Sequence, residues 1–238
     1  MNVLQNLDFP KAIRELFPKL MGNALYIVIL ATVFGFLLAI TVGFLLALGR
    51  ISKKKVLNKL IIIFQEIVRG TPLLVQLVYM YYVVPLLITL FANLIGFKTY
   101  TCHMTSLTAG ILGLGINYGT YISEVIRASI LSIDNGQSEA ALALGLTPIQ
   151  VMLRIVLPQA IRNSIPVFGN YLVMMVKDTS LMAYITVQEF LMTTKAYTSQ
   201  TFLTIESYTI LAVVYLCICI PLGFLAKYME KKFNQKSR

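Results

Sequence analysis

Two short runs of polar residues interrupt long apolar stretches of this 238-residue chain, and they carry its most chemically capable side chains. Glu66 and Arg69 stand three residues apart, so a helix sets them on one face, and Gln65, Arg69 and Gln76 continue a polar stripe. Gly70-Thr71-Pro72 follows directly. Proline cannot donate to the carbonyl of Val68, so that carbonyl, beside the Thr71 hydroxyl, is expected to be free to receive an ammonium group. On an equally weighted reading, Glu66 and Arg69 simply neutralise each other as a structural or gating pair. In the second run, Lys177-Asp178-Thr179-Ser180 suggests a broken helix whose ends, with the lysine, could receive a carboxylate. The competing reading is an interfacial loop of solvated charges. Asn117 and Asn170, polar residues in apolar surroundings, either line a pathway or hydrogen-bond between helices, whereas Glu124 and Arg127 suit a structural or gate pair.

Other chemistries find no footing. The lone His103 and scattered carboxylates form no nucleophile, base or metal constellation, so no catalytic and no metal-ligating residues are assigned. There is no Gly-x-x-x-x-Gly-Lys-[Ser/Thr] phosphate loop, so the chain is not expected to hold ATP itself or to need a cofactor of its own. Gly110, Gly113, Gly115 and Gly119 are no dinucleotide fingerprint; in an apolar stretch they are expected to let helices approach closely. Cys217 and Cys219 point to different helical faces and Cys102 stands alone, which implies no disulfide.

The elements that must carry these groups follow from composition. Hydrophobic residues make up 58% of the chain and charged ones 13%, and no charge occurs between Lys19 and Arg50. At a rise of ~1.5 Å per residue, about 20 apolar residues cross the ~30 Å hydrocarbon layer. Residues 20–49 exceed that and end in a lysine cluster, so they read as an uncleaved first span. Further spans are expected at about 58–84, 105–131, 163–187 and 207–226. The whole of residues 1–238 thus reads as a single all-α integral membrane domain with five transmembrane helices.

The net charge of +10 is then a matter of position. Arg50, Lys53, Lys54, Lys55, Lys59, Arg127, Arg154, Arg162, Lys227, Lys231, Lys232, Lys236 and Arg238 fall on one side. Lys11, Arg14, Lys19, Lys98 and Lys195 fall on the other, and Arg69 and Lys177 lie within spans. Because Lys and Arg concentrate on the cytoplasmic side, this sets the N-terminus outside and the C-terminus in the cytoplasm, with the Lys/Arg before the first span arguing mildly the other way. The basic ends suit anionic lipid head groups, and no aromatic-studded basic groove suggests nucleic acid.

Residues 134–158, between the third and fourth spans, are the least membrane-like. Asp134-Asn135-Gly136 is a turn signal; Ser138 is expected to cap a first short helix with Glu139 in its opening turn, and Gly145 suits the left-handed position past its end. Thr147 caps a second helix through a Thr-x-x-Gln box with Gln150, Pro148 starts it, and Leu157-Pro158 is expected to end it. Ala140, Ala141, Leu142, Ala143 and Leu144 are apolar outside any span, the composition of a helix that waits for a partner groove.

Glu139-Ala140-Ala141 followed by Gly145 resembles the "EAA" loop of permease subunits of bacterial ATP-binding-cassette importers. Glu66-Ile-Val-Arg-Gly-Thr-Pro-Leu-Leu-Val-Gln76, Tyr121-Ile-Ser-Glu-Val-Ile-Arg127, Ile133-Asp-Asn-Gly-Gln137, Leu157-Pro-Gln-Ala160, Ile165-Pro166, Gly169-Asn170 and Lys177-Asp-Thr-Ser-Leu181 are similar to the polar amino acid subfamily, across most of residues 60–185. The chain departs from that pattern at Tyr171, where the family commonly has Glu, and near Tyr121-Ile122-Ser123, where it has small residues.

The resemblance implies a type I importer fold in the bacterial inner membrane. It implies that Glu139, Ala140, Ala141, Leu144 and Gly145 couple to a separate ATPase, and that Glu66, Arg69, Thr71, Gln76, Asn117, Asn170, Lys177 and Asp178 line the substrate pathway. Implied partners are a second permease subunit, identical or related, two ATPase subunits that hold ATP and Mg, an extracellular substrate-binding protein, and a polar L-amino acid such as cystine, glutamine or a basic one. The alternatives are an ion-coupled secondary carrier, which would not need the capped loop and would usually show inverted repeats, and a membrane-embedded enzyme.

Overall fold

The computed structural model describes residues 7–52, 54–97 and 100–234; Lys53, Lys98, Lys236 and Arg238, which entered the orientation argument, lie outside them. All regular elements among the described residues are helices, with no strand. In order they form α1 (Phe9–Lys19), α2 (Leu25–Ile51), α3 (Lys55–Arg69), α4 (Leu73–Val78), α5 (Val84–Leu94), α6 (Ser106–Leu131), α7 (Asn135–Ala143), α8 (Pro148–Val151), α9 (Leu157–Asp178), α10 (Phe190–Thr201) and α11 (Thr204–Asn234).

The first apolar run begins earlier than its composition suggested. α1 joins α2 through a π turn at Leu20–Ala24, with a kink at Gly22 (φ −90°, ψ −109°). Ala12, Leu16, Leu20, Ala24 and Val28 recur every four residues and are buried, while Lys11, Arg14 and Lys19 stay exposed, so one stripe carries across the kink. The stripe continues along α2 as small residues, Ala31, Gly35, Ala39, Gly43 and Ala47. These meet the glycines of α6. A Cβ added at Gly119 would lie 2.8 Å from Val42 Cγ1 and 3.3 Å from the Ala39 carbonyl, and one at Gly43 would lie 2.6 Å from Ile122 Cγ2. The close approach expected of the α6 glycines is therefore present where α2 packs against α6.

Helix α3 is built inside out relative to a soluble helix: Val56, Leu60, Ile63 and Ile67 look outward, and Gln65 is fully buried. An apolar stripe turned away from the protein suits a hydrocarbon surrounding. Among the described residues, three stretches are long and apolar enough to cross a membrane, Phe9–Ile51, Leu73–Leu94 and Thr204–Lys232. The helices at the expected third and fourth spans, α6 with 26 residues and α9 with 22, have the length but not the apolarity. Much of their surface is turned to other helices, so it need not match lipid.

The cytoplasm-assigned loop corrects two expectations. α7 is capped by Asp134, whose side chain accepts from Gly136 N, and not by Ser138, because the helix already begins at Asn135. Gly145 does take the left-handed conformation (φ +85°), and the Leu146 N–H reaches back to the Ala141 carbonyl at 3.2 Å in a Schellman closure. The Thr147–Gln150 capping box is formed. Pro158, however, ends nothing. A π turn at Met152–Val156 precedes it, and that widened turn absorbs the missing N–H without breaking the helix. α8 and α9 therefore run on as one helical path from Pro148 to Asp178.

Beyond Asp178 the chain tightens into a 3-10 turn, Thr179–Ile185, closed by Thr186 in the left-handed region (φ 66°). Glu189 then caps α10 by accepting from Leu191 N and Met192 N, each at 2.8 Å. Burial pushes its carboxyl up to about 7, the two backbone donors offsetting only part of the desolvation. Asp8 N donates to the buried Glu206 at 2.8 Å, and Tyr197 donates to Glu15 at 3.1 Å, tying α1 to α10 and α11.

Candidate functional site

Three distant parts of the chain line one cavity of about 350 Å³. The break between α3 and α4 supplies Thr71, Pro72 and Leu73; α6 supplies Asn117, Tyr118 and Tyr121; α9 supplies Tyr171, Met174 and Asp178. Tyr171, Met174 and Asp178 follow three- and four-residue spacing, so they share a helical face. Tyr118 and Tyr121, three apart, do the same on α6. The Tyr118 hydroxyl donates to Asp178 Oδ2 at 2.7 Å. The Tyr171 ring stands edge-on to Tyr118 with centroids 6.0 Å apart and tilted to Tyr121 at 6.2 Å. Asp178 is thus held by Tyr118 in a cavity that two further tyrosines also line, and among the described residues no Lys, Arg or His lines it.

The helix break is held by a side chain. Gln76 Nε2 lies 2.6 Å from the Val68 carbonyl and 2.9 Å from both the Thr71 carbonyl and hydroxyl. The Thr71 hydroxyl also donates to Val68 at 3.2 Å. The Val68 carbonyl that Pro72 releases is therefore already satisfied, which corrects the expectation that it stands free for an ammonium group. Gln76 Oε1 in turn accepts from Asn117 Nδ2 at 3.0 Å, so Asn117 bonds between helices as well as lining the cavity. On the other face of Thr71 and Gln76 lies a more apolar cavity of about 430 Å³, walled by residues such as Phe64, Val75 and Ile116.

Other residues marked in the sequence lie elsewhere. Glu66 and Arg69 pair at 2.6 Å with the Glu66 side chain 68% exposed, outside the cavity. Lys177 is exposed, about 100° around α9 from Asp178, so the two neighbours part company and the lysine does not face the site. Asn170 is exposed and likewise does not line it. Tyr118 was missed altogether. Tyr121 and Tyr171, noted only as departures from the subfamily pattern, both prove to be walls.

A second polar knot lies one to two turns further along α6, at Ser123, Glu124 and Arg127. Arg50 reaches Gln65 Oε1 at 2.8 Å and Glu124 Oε1 at 3.5 Å; Glu124 also accepts from Arg127 at 2.9 Å, and Gln65 donates to Ser123. Arg50 is thus a half-buried tie between α2, α3 and α6, although its place at the end of an apolar run suggested only a topogenic charge.

In α7, Glu139 and Ala140 are exposed, Leu142 is 47% exposed and Leu144 82%, but Ala141 is turned inward. Ile149 and Leu153 extend this bare apolar surface. Gln159 ties α7 to α9 by donating to Gln137 at 2.6 Å, and Ser164 ties α9 to α6 by donating to Ser129 at 2.9 Å. Among the described residues, no group of three or more His, Cys, Asp or Glu could hold a metal ion.

Residues 39–235 match the family model for the binding-protein-dependent transport system inner membrane component. The chain belongs to that family. It is 36% identical over 222 residues to the probable amino-acid permease protein YxeN of Bacillus subtilis, covering 93% of this chain and 94% of the relative. It is 30% identical over 224 residues to the L-cystine transport system permease protein TcyB of the same organism, covering 94% and 90%. A crystal structure of an amino acid ABC transporter with histidines superposes with a TM-score of 0.79 at 28% identity, over 95% of this chain and 99% of the other. The chain is a transport permease, and the ion-coupled carrier alternative falls away.

Proposed function

We propose that this chain is the pore subunit of an ATP-driven importer for a polar L-amino acid, that it crosses the bacterial inner membrane five times, and that the Asp178 cavity is where the amino acid is held in transit. The observation that carries this is the connection between two unlike regions. A bare apolar helix at Leu142 and Leu144 is tied by Gln137–Gln159 to α9, whose far end forms a cavity wall. One end suits docking and the other suits a ligand.

Residues 1–238 act as one transmembrane domain, with the N-terminus outside and the C-terminus in the cytoplasm. Glu139, Ala140, Leu144 and Gly145 seat in a cleft of a separate ATPase subunit, which holds ATP and Mg; Ala141 packs the helix back onto its own chain. Two permease subunits, two ATPase subunits and an external binding protein make up the working complex. ATP-driven closure of the ATPases moves α7 and with it α9, while the Gln76 strap keeps the break between α3 and α4 in shape. The neighbours' names, an amino-acid permease, an L-cystine permease and an amino acid transporter with histidines, support the substrate class.

The test is reconstitution of the complex in proteoliposomes with labelled amino acids. Uptake that requires internal ATP, and loss of ATPase co-purification on Leu144→Asp, are the expected results. Uptake that survives ATP depletion and follows an ion gradient would sink the reading.

A further inference from the structure

We infer that the groove between α1 and α11 is a binding site for one anionic phospholipid, its acyl chain lying between the helices and its phosphate meeting Arg14 and Lys11. The site requires only that the chain lies in a bilayer, so it stands apart from the amino acid reading above. Phe9, Ile13 and Phe17 of α1 face Thr209, Val213 and Val214 of α11 across a cavity of about 320 Å³. Among the described residues Thr209 is the single polar one on the wall, and its hydroxyl is turned back to the Ile205 carbonyl at 2.7 Å. The groove thus offers an occupant no free side-chain hydrogen bond, which suits a hydrocarbon chain and penalises an amino acid.

Helix α1 is divided into three sectors. Ala12, Leu16 and Leu20 are buried against the protein. At about 100° per residue, Ile13 and Phe17 come next around the helix, 52% and 44% exposed, and Arg14, Lys11 and Glu15 take the remaining, charged side. One side toward protein, one toward hydrocarbon and one toward water is the arrangement of a helix at the headgroup level of a bilayer. Arg14 follows Phe17 around the helix, at the rim of the groove. Lys19 is engaged over the Tyr197 ring at 5.5 Å and Glu15 by the Tyr197 hydroxyl, whereas among the described residues neither Lys11 nor Arg14 is paired with a carboxylate. Two such cations beside an apolar groove match a phosphate joined to an alkyl chain.

From the groove an outward apolar stripe, Val213, Leu216, Ile220 and Phe224, runs on along α11. Thr209 to Ile220 is roughly 16 Å by helical rise, about one leaflet of a ~30 Å hydrocarbon layer, so a chain that enters the groove can continue beside it. A second copy of this chain fits less well, because a two-fold contact here would set Arg14 and Lys11 against their own counterparts.

The test labels the assembled complex, in a mild detergent, with phosphatidylglycerol that carries a photoactivatable group in its acyl chain. Unlabelled phosphatidylglycerol and phosphatidylcholine compete, and adducts are located by peptide mapping. Adducts are expected on residues 9–17 and 209–214, displaced by phosphatidylglycerol at a roughly tenfold lower concentration than by phosphatidylcholine. Lys11→Ala with Arg14→Ala should bring the two competitors within about twofold, and Lys227→Ala, at the other end of α11, should leave the preference as it is. Val213→Trp, which fills the groove, should cut labelling there about tenfold. Equal displacement by the two lipids in the wild type reduces the contact to ordinary surrounding lipid and overturns the site, as does an undiminished preference in the double variant. Permease dimers joined through Ile13→Cys on oxidation would make the occupant a second copy and overturn it too.

Discussion

The α7 loop and the Asp178 cavity sit toward opposite ends of α9 and are made in opposite ways. The loop's ends are local: Asp134 opens it, Gly145 closes it, Thr147 and Gln150 start the next turn, and each of these caps finds its partner within a few residues. The cavity is assembled from positions as far apart as 71 and 178. A surface meant for another protein can be written in a short stretch. A site meant for a small ligand has to be closed from several sides at once.

Substitutions can separate the two. The largest effect is expected at the joint both depend on. Gly119→Leu drives a branched side chain into Val42 and the Ala39 carbonyl, where even a Cβ is tight, and overpacking there costs about 3 kcal/mol. The yield of assembled complex and its melting temperature in detergent should both collapse, whereas a normal melt would show that the joint is softer than its geometry.

Next comes Gln76→Ala, which removes the strap between Val68 and Asn117 and leaves buried polar groups poorly satisfied at about 1–3 kcal/mol. Amino acid uptake should fall roughly tenfold with ATPase co-purification intact. Loss of both together would mean that cavity and loop are not separable.

Gly145→Ala is the mirror image. Nothing lies within 4 Å of the added Cβ, so the cost is the left-handed backbone alone, about 1 kcal/mol. ATPase association should weaken while amino acid binding to the permease is kept. The smallest effects are expected for Lys177→Ala and Asn170→Ala, both exposed and off the cavity, with uptake within about twofold of wild type. A tenfold loss at either would redraw the pathway.

Legibility followed the same division. Capping and turn chemistry depends on neighbours in sequence, so Gly145 and the Thr147 box were readable, and the error at Ser138 was a matter of which polar residue came first. The α6 glycines were readable because small residues in an apolar helix have few other uses. Pro158 was misread because a single widened turn can absorb a proline, and nothing in Met152–Val156 announces one. Lys177 and Asp178 are neighbours in sequence, but adjacent helical residues face different ways. Tyr118, Tyr121 and Tyr171 were ordinary aromatics until α6 and α9 were packed side by side, which no periodicity encodes. The Val68 carbonyl looked free because the side chain that satisfies it lies eight residues on.

The absorbed proline has a consequence of its own. Had the chain hinged at Pro158, the loop could swivel without the ligand chamber registering it. Instead α9 carries one azimuth from Gln159 to Asp178, with a single backbone bond forgone at Pro166. One residue inserted between them would advance Asp178 by about 100° away from the tyrosines and bring Lys177 to the bearing Asp178 now occupies. The permease is therefore a matter of phase as much as of contacts, and the count of residues between its two ends is itself a setting.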